Sequence, residues 1–365
     1  MSKHLFSTLA VAVSGLGLAF EPAAIITDSG FELTPTLEFE TKYNTQGGDR
    51  ATQILLAPAV SIAHSDGAIG FLSNLGAGLG MDVRGSDEQL LFADLNADAA
   101  FRFAHTEALS SELGAGIKYV HTDDSVDGTD GDYGYKLVSG AFAGLRLGNP
   151  ESQMQLAGTL GVENTRYTNY EELAKEKDGT AISFNGELAY LLASATHFET
   201  ELSAKSSTFA NNEAAYNLEF GLMTGLAWQQ VANTNGRLLL GYKGVEFTNN
   251  SADNYGGFAV TAMLSSEIGS FLLWENTADS KLTQSNGNRL TELESSVKWT
   301  AIEALTFTGM LGYTENCKAD NSTKLGLGVL YSPQRFLQLG LDYELTLPEE
   351  SNRGHQLALN IKAGL

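Results

Sequence analysis

The sequence contains a single cysteine, Cys317, among 365 residues. That excludes a disulfide framework and a thiolate metal site. Proline is scarce too, with 6 residues against 39 glycines. Basic charge is short: 22 Lys and Arg stand against 44 Asp and Glu, a formal net charge of −22. No basic patch of the kind that neutralises phosphates can be assembled, so nucleic acid is not an expected partner. Beyond the N-terminus long apolar runs are missing. Mean hydropathy is −0.10, and no later stretch approaches the roughly 18 apolar residues of a spanning helix. The motifs G-x-S-x-G and H-E-x-x-H do not occur, so the chain is not read as an enzyme and no catalytic, cofactor or metal residue is assigned.

The one apolar run opens the chain. Lys3 precedes "LFSTLAVAVSGLGLAF" (5–20), which carries no charge. Gly17 and Ala19 put small residues at −3 and −1 for cleavage after Ala19, whereas cleavage after Ala24 would put Pro22 at −3. This is the pattern of an export signal. The expected organisation is a signal peptide over 1–19, a periplasmic N-terminal segment over 20–30 and one β-domain over 31–365.

What fills the rest is alternation. In "LTPTLEFETKYN" (33–44) the odd positions are Leu33, Pro35, Leu37, Phe39, Thr41 and Tyr43, and the even ones include Glu38, Glu40 and Lys42. One apolar and one charged face at a period of two is a half-buried strand. The pattern recurs at Leu91 to Phe103, at Ala214 to Trp228, at Leu337 to Leu345 and at Leu357 to Leu365. About eighteen such runs, from 31–43 and 52–63 to 336–346 and 355–365, have roughly the length of tilted membrane strands. The run at 270–280, "SFLLWENTADS", chooses no face, so sixteen strands is the alternative.

Connections and aromatics decide between a soluble sandwich and a membrane barrel. Alternate connections are short, such as "SDG" (65–67) and "PQR" (333–335). The others are longer and polar, such as "NTQGGDR" (44–50), "TDDSVDGTDGD" (122–132) and "TNYEELAKEKD" (168–178). That asymmetry belongs to outer-membrane barrels of Gram-negative bacteria. Tyr43, Tyr119, Tyr133, Tyr135, Tyr313 and Tyr343 lie at the long-loop ends of their strands. Phe31, Phe101, Phe103, Tyr190, Phe198, Trp228, Trp299 and Tyr331 lie at the short-turn ends. Two belts mark two membrane interfaces. The fold expected is therefore an all-β, transmembrane, antiparallel up-and-down barrel with its apolar face outward, in the cell outer membrane.

The polar face then lines a lumen. Candidate pore-lining residues are Glu38, Glu40, Lys42, Asp94, Asp98, Arg102, Glu199, Glu201, Glu219, Glu292, Glu294, Asp342 and Glu344. Either these charges pair across strands as a solvated wall, or the acidic excess gives a cation-preferring pore. Leu218 and Leu222 should face lipid, and Asn217 and Glu219 water. Pro35 and Pro58 each remove a ladder donor, so a local bulge is expected near the closure seam.

"FELTPTLEFETKYN" followed by "DRATQILLAPAVSIAHSDG" resembles the opening hairpin of the beta-barrel porin 2 family, through Pro35, Tyr43, Pro58 and Val60. The resemblance implies an outer-membrane porin, with a role in polysaccharide export in some relatives. Expected partners are outer-membrane lipid and lipopolysaccharide, the barrel-assembly machinery and small polar solutes. Self-association stays open. A barrel with a plugged lumen that binds a partner through its loops is the competing reading.

Gly76, Gly78 and Gly80 share the lumen face with no helix following, so they ease curvature or crowding rather than cradle phosphate. "DDSVDGTDGD" (123–132) has Asp123, Ser125 and Asp127 in calcium-loop positions, but the twelfth position is Gly134 and the bidentate glutamate is missing. His121 beside Asp123 has no companion acidic pair in the sequence.

Overall fold

The structure is a computed structural model that describes residues 24–27, 29–46, 49–84, 88–121, 135–149, 152–168, 178–209, 217–231, 233–247, 254–282, 289–316, 321–349 and 353–364. The signal sequence, the calcium-like loop and Tyr133, Ala214, Tyr216 and Leu365 lie outside them. The wall begins with β1 (Glu32–Gln46), β2 (Asp49–Ser65), β3 (Ile69–Arg84), β4 (Glu88–Ala104), β5 (Leu109–His121) and β6 (Tyr135–Leu147). It continues with β7 (Met154–Thr168), β8 (Gly179–Ala193), β9 (Thr196–Phe209), β10 (Asn217–Val231), β11 (Thr234–Phe247) and β12 (Tyr255–Ile268). It ends with β13 (Leu272–Leu282), β14 (Arg289–Ile302), β15 (Leu305–Asn316), β16 (Ser322–Gln334), β17 (Leu337–Pro348) and β18 (Gly354–Gly364).

Each strand pairs antiparallel with its sequence neighbours, and β18 closes on β1 from Gly354–Gln46 to Gly364–Thr36. The result is an eighteen-stranded, closed up-and-down barrel. Closure leaves no sheet edge in hydrocarbon, where an unpaired backbone group costs several kcal/mol. Strands run longer than the alternation alone suggests. β1 and β2 pair out to Gln46–Asp49, so the strands take in most of the 44–50 stretch expected as a connection.

The predicted faces are the observed ones. Leu91, Leu327 and Leu79 are 76%, 69% and 62% exposed, a wall that no water-soluble fold would present. A hydroxyl on this wall needs a local partner. Thr224 finds one by donating to the Glu199 carbonyl at 3.1 Å, with Thr200 Oγ1 at 3.2 Å. Both aromatic belts stand on the outer face, with Tyr119 stacked on Tyr135 at 4.7 Å and Trp299 on Phe307 at 5.5 Å.

Short turns are built from local chemistry. Between β2 and β3, Gly67 sits at φ +89° and Asp66 Oδ1 accepts from the Ile69 N–H at 2.6 Å and the Ala68 N–H at 3.0 Å. Those two bonds, Ile69 first, hold the Asp66 carboxyl below the usual carboxylate range. Between β4 and β5, Thr106 Oγ1 accepts from the Leu109 and Ala108 N–H groups.

The bulge expected at the two prolines does not form. β1 and β2 keep one register through Leu37–Pro58 and Pro35–Val60. Hydrogen bonding yields instead. The β2–β3 ladder stops at Leu56–Leu79 and resumes at Ala59–Gly76 in unchanged register, a gap where Pro58 has no N–H to donate. On its other side β1 pairs with β18 up to Thr36 and with a two-residue bridge, Ile25–Ile26, at Leu33 and Glu32. Pro35 falls between these two ladders, where its missing donor is least costly.

Candidate functional site: the inward face of the barrel

Strand parity puts every predicted pore-lining residue on the inward face. Glu38, Glu40 and Lys42 alternate with the outward Leu37, Phe39 and Tyr43 on β1. Asp94, Asp98 and Arg102 alternate with the exposed Leu95 and Phe101 on β4. Glu199 and Glu201 do so with Phe198 and Leu202 on β9, and Glu219 with Leu218 on β10. Glu292 and Glu294 flank the outward Leu293 on β14, and Asp342 and Glu344 flank Tyr343 on β17. Asn217 also points inward but is 4% exposed, so it is buried rather than water-facing. Its Oδ1 has no hydrogen-bond partner among the described residues.

Six cations on this face lie against carboxylates, among them Lys243, 3.8 Å from Asp279. Lys42 Nζ is 2.9 Å from Glu40, Lys298 Nζ is 2.7 Å from Glu275, Lys324 Nζ is 3.3 Å from Glu344 and Lys205 Nζ is 4.0 Å from Glu219. Arg237 is the most engaged. From β11 it crosses β10, where Gly225 leaves room, and donates from Nε to Glu199 and from Nη2 to Glu201, each at 2.7 Å. Such half-exposed pairs contribute only about 0–1 kcal/mol each, but they orient the wall. Acid also opposes acid. Glu201 is register partner to Glu187, and Asp279 to Glu292. Glu275 and Asp279 were missed in the sequence because β13 hides its face. Its outward positions include the polar Asn276 and Ser280, while inward Leu273 is 7% exposed.

His121, which stands beside Asp123 in the sequence, lies against Asp94 in the structure. By alternation with outward Tyr119 it should face lipid. The β4–β5 ladder ends at Leu95–Tyr119, and beyond it Asp94 Oδ1 accepts the His121 backbone N–H at 2.8 Å. The imidazole then turns inward. Its Nδ1 lies 2.9 Å from Asp94 Oδ1, its ring stacks on Phe92 at 3.8 Å, and Nε2 is 3.5 Å from Gln53 Nε2. Asp94 stands 27 residues away, which is why proximity in sequence pointed to Asp123 instead. Lower on the same wall, Ser61 donates to Asn74 at 2.7 Å and Asn74 to Asp98 at 3.0 Å.

The inward glycines of β3 lie under side chains. A Cβ at Gly80 would meet the Phe92 ring and one at Gly76 the Asn96 carboxamide, which is the crowding reading of that stretch. Elsewhere the inward face is packed: Met223, Leu239 and Ala259 form a buried apolar cluster, with Leu239 at 0% exposure. Among the described residues no group of three or more His, Cys, Asp or Glu is placed to hold a metal ion.

Comparison with solved structures fits this geometry. The chain is similar to OccAB4 of Acinetobacter baumannii at 10% identity and a TM-score of 0.55, covering 92% of this chain and 98% of that one. It is similar to OccK5 (OpdH) of Pseudomonas aeruginosa at 13% identity and a TM-score of 0.52, covering 91% and 98%. The fold is that of an outer-membrane porin barrel. OpdK of Pseudomonas aeruginosa, solved with vanillate, matches at 10% identity and a TM-score of 0.53, covering 91% and 98%. No protein-family model and no curated protein matches the sequence, so the resemblance to the beta-barrel porin 2 family rests on the opening hairpin alone.

Proposed function

We propose that the barrel is an outer-membrane channel through which small polar solutes diffuse passively, with a weak preference for cations. Eighteen strands enclose enough space for an aqueous path. The observation that carries the reading is the charge balance of the inward face. Arg237 serves two carboxylates at once, and carboxylates stand side by side at Glu187–Glu201 and Asp279–Glu292. An acidic excess on a pore wall concentrates cations. In this reading Glu38, Glu40, Asp94, Asp98, Glu292, Glu294 and Asp342 border the water path, residues 1–19 are removed on export and 20–30 lie on the periplasmic side.

A second reading has its own observation. The Met223–Leu239–Ala259 cluster is packed on the inward face, as in a barrel whose lumen is plugged and whose role is structural or adhesive. Polysaccharide export follows from the family resemblance only. Single-channel recording in planar bilayers separates them. A steady step conductance is expected, and a silent barrel that is nonetheless inserted would support the plugged reading.

A further inference from the structure

The outer wall over β12–β15 carries a polar group where the rest of the wall is apolar. Asn276 stands on the outward face of β13, between its register partners Leu264 of β12 and Ser295 of β14. On β14, Ser295 falls between Trp299, in the short-turn belt, and Leu293, whose partner Tyr313 belongs to the other belt. The Asn276 carboxamide therefore lies within the outward band, about 25 Å tall, that faces hydrocarbon. Ser73 and Asn164 show how outward polar groups are satisfied inside the wall. Ser73 donates to the Asp98 carbonyl at 2.8 Å, and Asn164 to Thr180 Oγ1 at 2.9 Å. Asn276 makes no such bond among the described residues. Its neighbour Ser295 already accepts from Trp274 Nε1 at 3.0 Å.

The wall is low around this amide. Ala262 and Ala278 are register partners on one side of it, and Gly309, opposite Val297, lies on the other. A Cβ at Gly309 would meet nothing within 4 Å, so the barrel's own packing does not call for glycine there, in contrast to Gly80 under Phe92. Small outward residues let membrane segments approach closely, and amide side chains bond across such contacts. A lipid tail offers the carboxamide neither donor nor acceptor, and water is excluded at this depth. A primary amide carries both functions, so a second primary amide completes it. We propose that the barrel pairs with a second copy of itself through the outward face of β12–β15, with the two Asn276 carboxamides hydrogen-bonded across a two-fold axis. Each donates one N–H to the other's oxygen. Both copies span the bilayer in one orientation, so the axis runs along the membrane normal, and an isologous contact of this kind closes at two. Each lumen stays separate, so the pairing does not depend on conduction.

The test is single-molecule photobleaching of the full mature chain, dye-labelled at its N-terminus and inserted in phosphatidylcholine liposomes over a range of protein-to-lipid ratios. The wild type should bleach increasingly in two steps as the ratio rises. Asn276→Leu should raise the ratio needed for half pairing by about tenfold, the effect of losing interfacial hydrogen bonds in lipid. Gly309→Leu, which lifts the low part of the wall, should raise it as well. Ala141→Leu, on the outer face of β6, should leave it unchanged. Should Asn276→Leu or Gly309→Leu fail a heat-modifiability check of folding, Asn276→Ala or Gly309→Val is read in its place. A wild type that stays single at every ratio, three-step bleaching, pairing left intact by either interface variant, or equal weakening by Ala141→Leu would each overturn the proposal.

Discussion

The wall over β3–β5 and the wall over β10–β12 use glycine for opposite purposes. On β3 the missing side chains are replaced by others: Phe92 lies over Gly80 and Asn96 over Gly76. On β10 and β11, Gly225 and Gly241 are inward residues whose Cβ atoms would meet main chain. Gly241 faces the Leu222 carbonyl with the Met223 Cα at 2.8 Å, and Gly225 faces the Leu238 carbonyl with the Leu239 Cα at 3.0 Å. Here the wall creases, and the crease buries Met223 and Leu239 on the inner side. A glycine beneath a side chain sets what packs on the wall; a glycine against backbone sets the wall's curvature.

The largest effect should fall on the crease. Gly241→Ala places a methyl against a carbonyl that cannot step aside, and a cost of about 3 kcal/mol or more is expected, the upper end for overpacking. Urea unfolding from liposomes measures it. The next concerns the two faces of β10. Leu222→Arg puts a guanidinium near the bilayer midplane and should cost about 2–4 kcal/mol, against much less for Glu219→Arg. Equal tolerance at both sites in the same liposome assay would contradict the outward apolar assignment. The smallest belongs to β3. Gly80→Ala needs only the Phe92 ring to turn, so about 1 kcal/mol is expected, and Phe92→Leu in the same chain should recover most of it. If Gly80→Ala proved as costly as Gly241→Ala, the contrast between the walls would vanish.

Strand number and facing were legible because period-two alternation is local: Leu91 to Phe103 names its own faces without knowledge of any neighbour. The crease was not legible. Gly225 and Gly241 are visible in the sequence, but that they stand against Leu239 and Met223 depends on register. The Asp94–His121 contact needed the end of a ladder, where parity stops governing a side chain. Arg237's grip on two glutamates needed two strand spacings and an intervening glycine. The prolines were read as a bulge because a lost donor was the only visible consequence. The register shows that Pro35 and Pro58 both sit at ladder gaps. β13 misled for a simpler reason, since polar Asn276 and Ser280 point outward and Leu273 inward.

The central claim is that the inward face borders water and carries an excess of negative charge. Its most direct test is the reversal potential of the inserted barrel across a KCl gradient, first dilute and then concentrated. Fixed carboxylates should favour K⁺ where the Debye length is about 10 Å, near 0.1 M salt, and the preference should fade toward 1 M, where it is about 3 Å. Replacing Glu38 and Glu40 by Gln should reduce it at low salt. A chloride-favouring potential in dilute KCl would contradict the account.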